Sequence, residues 1–388
     1  MLFSYAALQM NILARGYLAY DLSGPLALGY VSLARGLPMF VFSALGGVVA
    51  DRVEKRKLLI YTQSGLAGLA LVNAVLVAAG VIEVWQLAVL ASLEGVVAAF
   101  NLPPRQAILP ELVGRDQLTN ALAINNAGMN LNRIFGPALA GILIGVPFFG
   151  LSGVFFLITV FYTVIVFTLF RLPVTPVAAR AIKTGVITDI RAGWQHVFSR
   201  PLLLMLLLMA FILVLLGMPY QQFLPVFARE VVHVGASGLG LMAAASGSGA
   251  LMGSLAVAYL ADYPRKALLQ LGTGIGFGLA IVGFALSSSF ALSLVFLLLV
   301  GMTGNSYLAL NNTMIMMETS REFHGRVMSV YMVTWSLMPL STMPLSIMID
   351  SIGPSPTIAM AGAAIALLVA CIALLRPEFR RTEIRATA

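Results

Sequence analysis

Gly46-Gly47-Val48-Val49-Ala50-Asp51-Arg52-Val53-Glu54-Lys55-Arg56-Lys57 is the stretch on which the reading of this chain turns. It closes a long apolar run, passes an acid and ends in a knot of bases. Gly47 permits close approach of a neighbouring helix. Asp51 can accept hydrogen bonds from a helix N-terminus or pair with a base. A plain basic loop beside a membrane accounts for Arg52, Lys55, Arg56 and Lys57. It does not account for Gly47 and Asp51 at this spacing.

Apolar sequence extends from this stretch in both directions. Of 388 residues, 60% are hydrophobic and 10% charged, against roughly 25% charged in an ordinary soluble domain. So few charges cannot cover a water-facing surface, whereas a lipid-facing surface needs none. The net charge of +8 reads as a bias of cytoplasmic loops, not as a nucleic-acid footprint, so no nucleic-acid partner is expected. Cys371 is the single cysteine. It has no partner for a disulfide or a metal site and is expected to be a buried small hydrophobe. Apolar sequence begins almost at Met1, with no basic n-region and no cleavage site. That argues against a signal peptide and for a short leader missing ahead of it, or a start assigned late.

A bilayer crossing takes about 20 apolar residues. The candidate spans of the first half are Leu2–Tyr20, Leu26–Ala50, Leu58–Gly80, Trp85–Leu102, Ala121–Gly145 and Leu151–Phe170. Those of the second are Leu202–Pro219, Leu239–Leu260, Ala267–Leu286, Ala291–Met314, Val327–Ile349 and Thr357–Leu375. The expected fold is an all-α membrane protein of about twelve transmembrane helices in two pseudo-symmetric six-helix bundles. Residues 1–170 form the first bundle and 202–375 the second. Residues 171–201 form a cytoplasmic linker, and 376–388 a basic tail. Within the linker, Ile187, Ile190, Trp194, Val197 and Phe198 share one helical face, which predicts a helix lying on the inner membrane surface.

Charge fixes an orientation. With both termini cytoplasmic, the inner segments hold nineteen of the 23 Lys and Arg residues, and the outer loops hold Arg229 alone. The remaining Arg15, Arg35 and Arg133 lie within spans. The halves also echo each other. Ala50-Asp51-Arg52 matches Ala261-Asp262-Tyr263, and Arg105–Glu111 matches Asn312–Glu318, at offsets of 211 and 207. Falling at equivalent loops, these point to an internal parallel repeat.

Gly47, Asp51, Arg52 and Arg56 together resemble the signature between helices two and three of the major facilitator superfamily, with Glu54 in place of its second glycine. Arg133-Ile134-Phe135-Gly136-Pro137-Ala138-Leu139-Ala140-Gly141 resembles the Gly-Pro motif of the superfamily's exporters. Gly136, Pro137 and Gly141 match, while Asn132 and Ala140 stand where glycines are usual. Pro137 can bend its helix there or serve packing alone. Pro104–Val113 and Arg35-Gly36-Leu37-Pro38 resemble the branch that contains enterobactin-type and macrolide-type exporters. The resemblance covers nearly the whole chain. It implies a monomeric secondary transporter of the bacterial cytoplasmic membrane, with no cofactor.

Ionisable residues inside spans are functional candidates by default. Glu94 and Arg133 are the candidate proton-coupling pair. Arg35 lies within span two, and Arg15 either faces the solute or snorkels outward. Asn126, Asn130, Arg133 and Pro137 share one face of span five. The resemblance implies that helices one, four, seven and ten line a central cavity, which places Asn11, Arg15, Glu94 and Asn305 on a solute path. With Arg35, Asn101, Asn126, Asn130, Tyr307 and Asn311 they are the candidate solute contacts. Gly47, Asp51, Arg52, Arg56, Gly136, Pro137, Gly141, Asp262 and Arg326 are the candidate gating residues, with Asp51 expected to cap span eleven near Gly325-Arg326-Val327.

The function expected is proton-coupled efflux of a small amphipathic solute, such as a drug, siderophore or metabolite. An uptake symporter of the same fold, a transport-dead receptor and a lipid-handling relative remain open alternatives. No phosphate loop, HExxH or Gly-x-Ser-x-Gly elbow occurs, which disfavours ATP-driven transport by this chain and an enzyme. His196, His233 and His324 are expected at the surface.

Overall fold

The structure is a computed structural model that describes residues 2–113, 117–172, 194–260, 262–320 and 323–375. Every long element among them is helical. The first is α1 (Leu2–Arg52), broken by non-helical backbone at Ser23 and by Gly24, whose φ of +65° suits glycine, ahead of Pro25. There follow α2 (Lys55–Ala78), α3 (Val84–Leu112), α4 (Leu118–Gly145) and α5 (Gly150–Phe170). The later part holds α6 (Pro201–Val231), α7 (Ala236–Tyr259), α8 (Lys266–Leu286), α9 (Phe290–Glu318), α10 (His324–Ile352) and α11 (Pro354–Leu375). Within α6, π turns at Leu213–Gly217 and Phe227–Val231 accompany Pro219 and Pro225, a common answer to prolines that interrupt the hydrogen-bond ladder. A break at Leu337 divides α10.

Ten of these helices are long and apolar enough to cross a membrane. Large side chains such as Leu71, Val75, Phe167, Leu255 and Leu374 stand exposed on them, a surface that only hydrocarbon suits. Cys371 is also exposed, not buried, because its stretch of α11 belongs to that apolar exterior. The surface helix expected over 187–198 and the tail 376–388 lie wholly or mostly outside the described residues. Residues 194–198 are helical. His196 stacks on Phe323 at 4.1 Å, and its pKa is held below the usual value by partial burial and by Arg200. His324 is drawn in to the carbonyls of Met316 and Thr319.

The chain divides into two compact units. The first comprises α1 to α5 together with Val234–Ala244 and Thr342–Ile347. In it α1 packs chiefly on α3, and α2 on α5. The approach of α1 to α3 is close because glycine faces backbone. A Cβ on Gly46 would strike the carbonyl of Ala99, and one on Gly95 the carbonyl of Arg35. Gly47, expected to be the contact glycine, faces open space instead. The motif supplies two adjacent glycines, and helical phase turns Gly46 toward α3. In the second unit α8 packs on α9 and α11.

Candidate functional site

Inside the first unit lies a cavity of about 100 Å³. Its walls follow from helical phase. Ser4, Leu8, Asn11, Ile12 and Arg15 recur at three- and four-residue steps along α1, and Glu94, Ala98, Asn101, Leu102 and Arg105 do the same along α3. Arg35, Met39, Leu66 and Tyr162 complete the lining. The first part of α1 and α3 run antiparallel, so Arg15 and Asn11 meet Glu94 while Tyr5 meets Arg105.

Glu94 is 3% exposed and Arg15 8%. Oε2 of Glu94 accepts a hydrogen bond from Nη1 of Arg15 in an ion pair, and Oε1 accepts one from Asn11 Nδ2 at 3.2 Å. Arg15 therefore turns inward and does not snorkel. Its reach is better used on a buried carboxylate than on the distant interface. Neutral bonds tie this wall to α2. Asn101 Nδ2 donates to Thr62 Oγ1 at 2.7 Å, and Gln63 Nε2 donates to Ser4 Oγ at 3.1 Å.

Arg105 departs from expectation. The proline pair Pro103-Pro104 suggests that span four ends before it, in a cytoplasmic loop. Yet α3 continues to Leu112 with Pro103, Pro104 and Pro110 inside it, and Arg105 is only 8% exposed. Its guanidinium lies 3.7 Å over the Tyr5 ring. The cavity thus carries three arginines against one carboxylate. The spacing of Glu94, Asn101 and Arg105, seven and then four residues, was the available signal. Tyr162 on α5 gave none.

The structure brings Asn11, Arg15, Arg35, Glu94 and Asn101 together. It does not bring Arg133 to Glu94. Arg133 and Asn126 are exposed on α4 and Asn130 half-buried there, and none of them lines this cavity. Their shared face is real, but periodicity specifies a face and not its neighbour. In the second unit Asn305 Nδ2 donates to the Ala250 carbonyl and to Ser254 Oγ. Tyr307 and Asn311 are 0% exposed, and Asn311 Oδ1 accepts from Gln270 Nε2 at 2.6 Å.

Among the gating candidates, Arg56 donates from Nε and Nη2 to the carbonyls of Leu169 and Phe170, closing the C-terminus of α5. Arg52 and Asp262 are exposed. Pro137 is buried, and a Cβ on Gly136 would meet Gln9 and Ala6 of α1. Gly141 approaches Ala236 and Gly240 backbone to backbone. Arg326 sits 5.3 Å over the Phe323 ring. The side chain of Asp51 lies outside the described residues.

A family profile described as "Transmembrane secretion effector" matches residues 2–388. The chain belongs to the major facilitator superfamily. It is an integral membrane transporter and not an enzyme. Macrolide efflux protein A of Streptococcus pyogenes is 23% identical over 99% of this chain and 95% of its own. The staphyloferrin A transporter of Staphylococcus aureus is 24% identical over 86% and 84%. The enterobactin exporter EntS of Citrobacter koseri is 29% identical over 75% and 69%. The resemblance to the exporter branch read from Arg35–Pro38 and Pro104–Val113 is thereby borne out. Among solved structures, the nucleoside transporter NupG matches with a TM-score of 0.72 at 13% identity over 98% of both chains. The inward-open xylose transporter XylE from E. coli matches at 0.71 and 11% identity, over 97% of this chain and 94% of that one. These last likenesses speak for the fold alone.

Proposed function

We propose that this transporter exports a small amphipathic solute by proton-coupled alternating access, with Glu94 as the coupling carboxylate. The observation that carries the reading is the buried Glu94, held by Arg15 and Asn11 on the wall of a cavity. A carboxylate so placed carries its charge inside a span, where charge is costly. Asn11 is equipped for both states. Its amide N–H donates to the carboxylate, and its Oδ1 has no partner among the described residues, so a half-turn of the amide accepts the proton of the acid. Protonation would release Arg15 and alter the relative stability of inward-open and outward-open forms. Arg15 takes the place first expected of Arg133.

Export is favoured by the efflux and exporter names of the relatives. Twelve spans in two six-helix bundles agree with the kink that divides α1 at Ser23 and Gly24, and with the 28-residue α4 beside the ten apolar spans. Cytoplasmic termini, the division at 171–201 and a bacterial inner-membrane location accord with the loop-charge bias, even after Arg105 is moved into the helix. We take the unit of function to be the monomer. Asp51 with Arg52, Arg326 and Asp262 would latch the cytoplasmic side, and Gly136, Pro137 and Gly141 would shape the α4 side of the gate. Everted vesicles energised by respiration should accumulate a transported macrolide or siderophore, and an uncoupler should abolish the accumulation. Glu94→Gln should remove the dependence on the gradient. A Glu94→Gln protein with full proton-driven export sinks the proposal.

A further inference from the structure

The cavity is over-supplied with positive charge. Arg15, Arg35 and Arg105 line it with Glu94 as the one carboxylate among the lining residues. Both oxygens of Glu94 are already engaged, by Arg15 and Asn11. No carboxylate in the lining is bonded to Arg35 or Arg105. Arg35 Nε, Arg105 Nε and Arg105 Nη2 are buried atoms with no hydrogen-bond partner among the described residues. A stranded guanidinium in low dielectric costs several kcal/mol (order of magnitude), far more than a stranded neutral group. The ring of Tyr5 beneath Arg105 offsets a small part, about 1–2 kcal/mol, and leaves Nε and Nη2 without a partner among the described residues.

Charge, hydrogen-bond count and room together define what the site lacks. It needs an acceptor with negative charge and more than one lone-pair direction, which describes a carboxylate, sulfonate or phosphate. The volume of about 100 Å³ is well below the roughly 300–1,000 Å³ of pockets that enclose a drug-sized molecule. It fits a head group and not a body. We propose that Arg105 is an anion subsite that takes the acidic group of the solute. This rests on the transport reading only in assigning the anion to a solute; the binding chemistry stands apart from flux. A phospholipid phosphate offers the same chemistry as a free acid, and the two sources are separable.

The test is calorimetric titration of the whole protein in phosphatidylcholine nanodiscs with three probes of one shape: benzoate, benzamide and benzylamine. Benzoate should bind at least ~10-fold more tightly than benzamide, and benzylamine should not bind; each decade is about 1.4 kcal/mol. Arg105→Gln should weaken benzoate by ~10-fold and leave benzamide unchanged, with Arg105→Lys between. If nanodiscs containing phosphatidylglycerol suppress benzoate binding in a competitive manner, a lipid phosphate occupies the subsite and the anion chemistry holds. Equal affinity of the wild-type protein for benzoate and benzamide overturns the proposal without needing any variant to fold. So does an Arg105→Gln protein that keeps its benzoate affinity. Selective benzoate binding with no gradient-driven export would instead sink the transport reading and leave the subsite standing.

Discussion

Two helix crossings, one in each unit, share a backbone design and differ in their chemistry. In the first, Gly95 of α3 stands against the carbonyl of Arg35 in α1. In the second, Gly301 of α9 stands against the carbonyl of Ser246 in α7. The paired positions are separated by 206 and 211 residues, close to the offsets of the loop echoes. Gly46 against Ala99 is answered in the same way by Gly253 against Met302. What surrounds these contacts is different. Glu94 precedes Gly95, and Val300 precedes Gly301. Arg35 opens onto a cavity, whereas Ser246 is closed by a 2.6 Å bond to the hydroxyl of Tyr220. What the two crossings share is what fixes helix distance. Charge lies beside the first of them and not beside the second.

The largest effect should come from breaking the charged crossing. Glu94→Leu strands Arg15 beside Arg35, and losing one partner of a buried pair costs about 3–5 kcal/mol. Thermal unfolding in detergent should show a large fall for Glu94→Leu and a partial recovery in Arg15→Leu/Glu94→Leu, where the stranded charge is gone. Val300→Leu at the equivalent place adds one methylene to a buried site and should cost only ~1–3 kcal/mol. Equal losses at Glu94 and Val300 would mean that charge does not distinguish the two crossings.

A smaller and equal effect is expected where the crossings are alike. A Cβ at Gly95 or at Gly301 meets a carbonyl oxygen that belongs to a helix backbone and has little freedom to give. Gly95→Ala and Gly301→Ala should each cost ~1–3 kcal/mol, the usual range for overpacking, read as matching drops in unfolding temperature. A variant that loses stability at Gly95 alone would dissolve the equivalence and with it the structural argument for a repeat.

These contacts explain how far sequence carries. Hydropathy places most helices to within a few residues, because the bilayer sets length directly, but α3 runs on from the expected Leu102 to Leu112 and α6 from Pro219 to Val231. The buried charges announce themselves at Arg15, Arg35 and Glu94, since no apolar span carries them without reason. Partners are another matter. Pairing Glu94 with Arg15, and not with Arg133, depends on the antiparallel register of α1 and α3, which no local pattern encodes. Arg105 was hidden by Pro103-Pro104. In water a proline pair ends a helix, but within a membrane protein the freed carbonyls find other partners and the helix runs on. Tyr307 and Asn311 read as solute contacts because they are polar. Both are buried, and Asn311 accepts a bond from Gln270.

The smallest effect sharpens the comparison from the neutral side. Tyr220→Phe removes one hydroxyl and leaves Ser246 Oγ, 6% exposed, without that partner. A neutral hydrogen bond of this kind is worth about 1 kcal/mol. Unfolding temperature should fall slightly, and the uncoupler sensitivity of export should not move. That second readout is the informative one. Ser246 occupies the place of Arg35, so a role for its neighbourhood in proton coupling would appear as a changed gradient dependence out of proportion to the stability loss. If Tyr220→Phe uncouples export as Glu94→Gln is expected to, the coupling machinery spans both units, and the divergence of the two crossings is one of residue type and not of role.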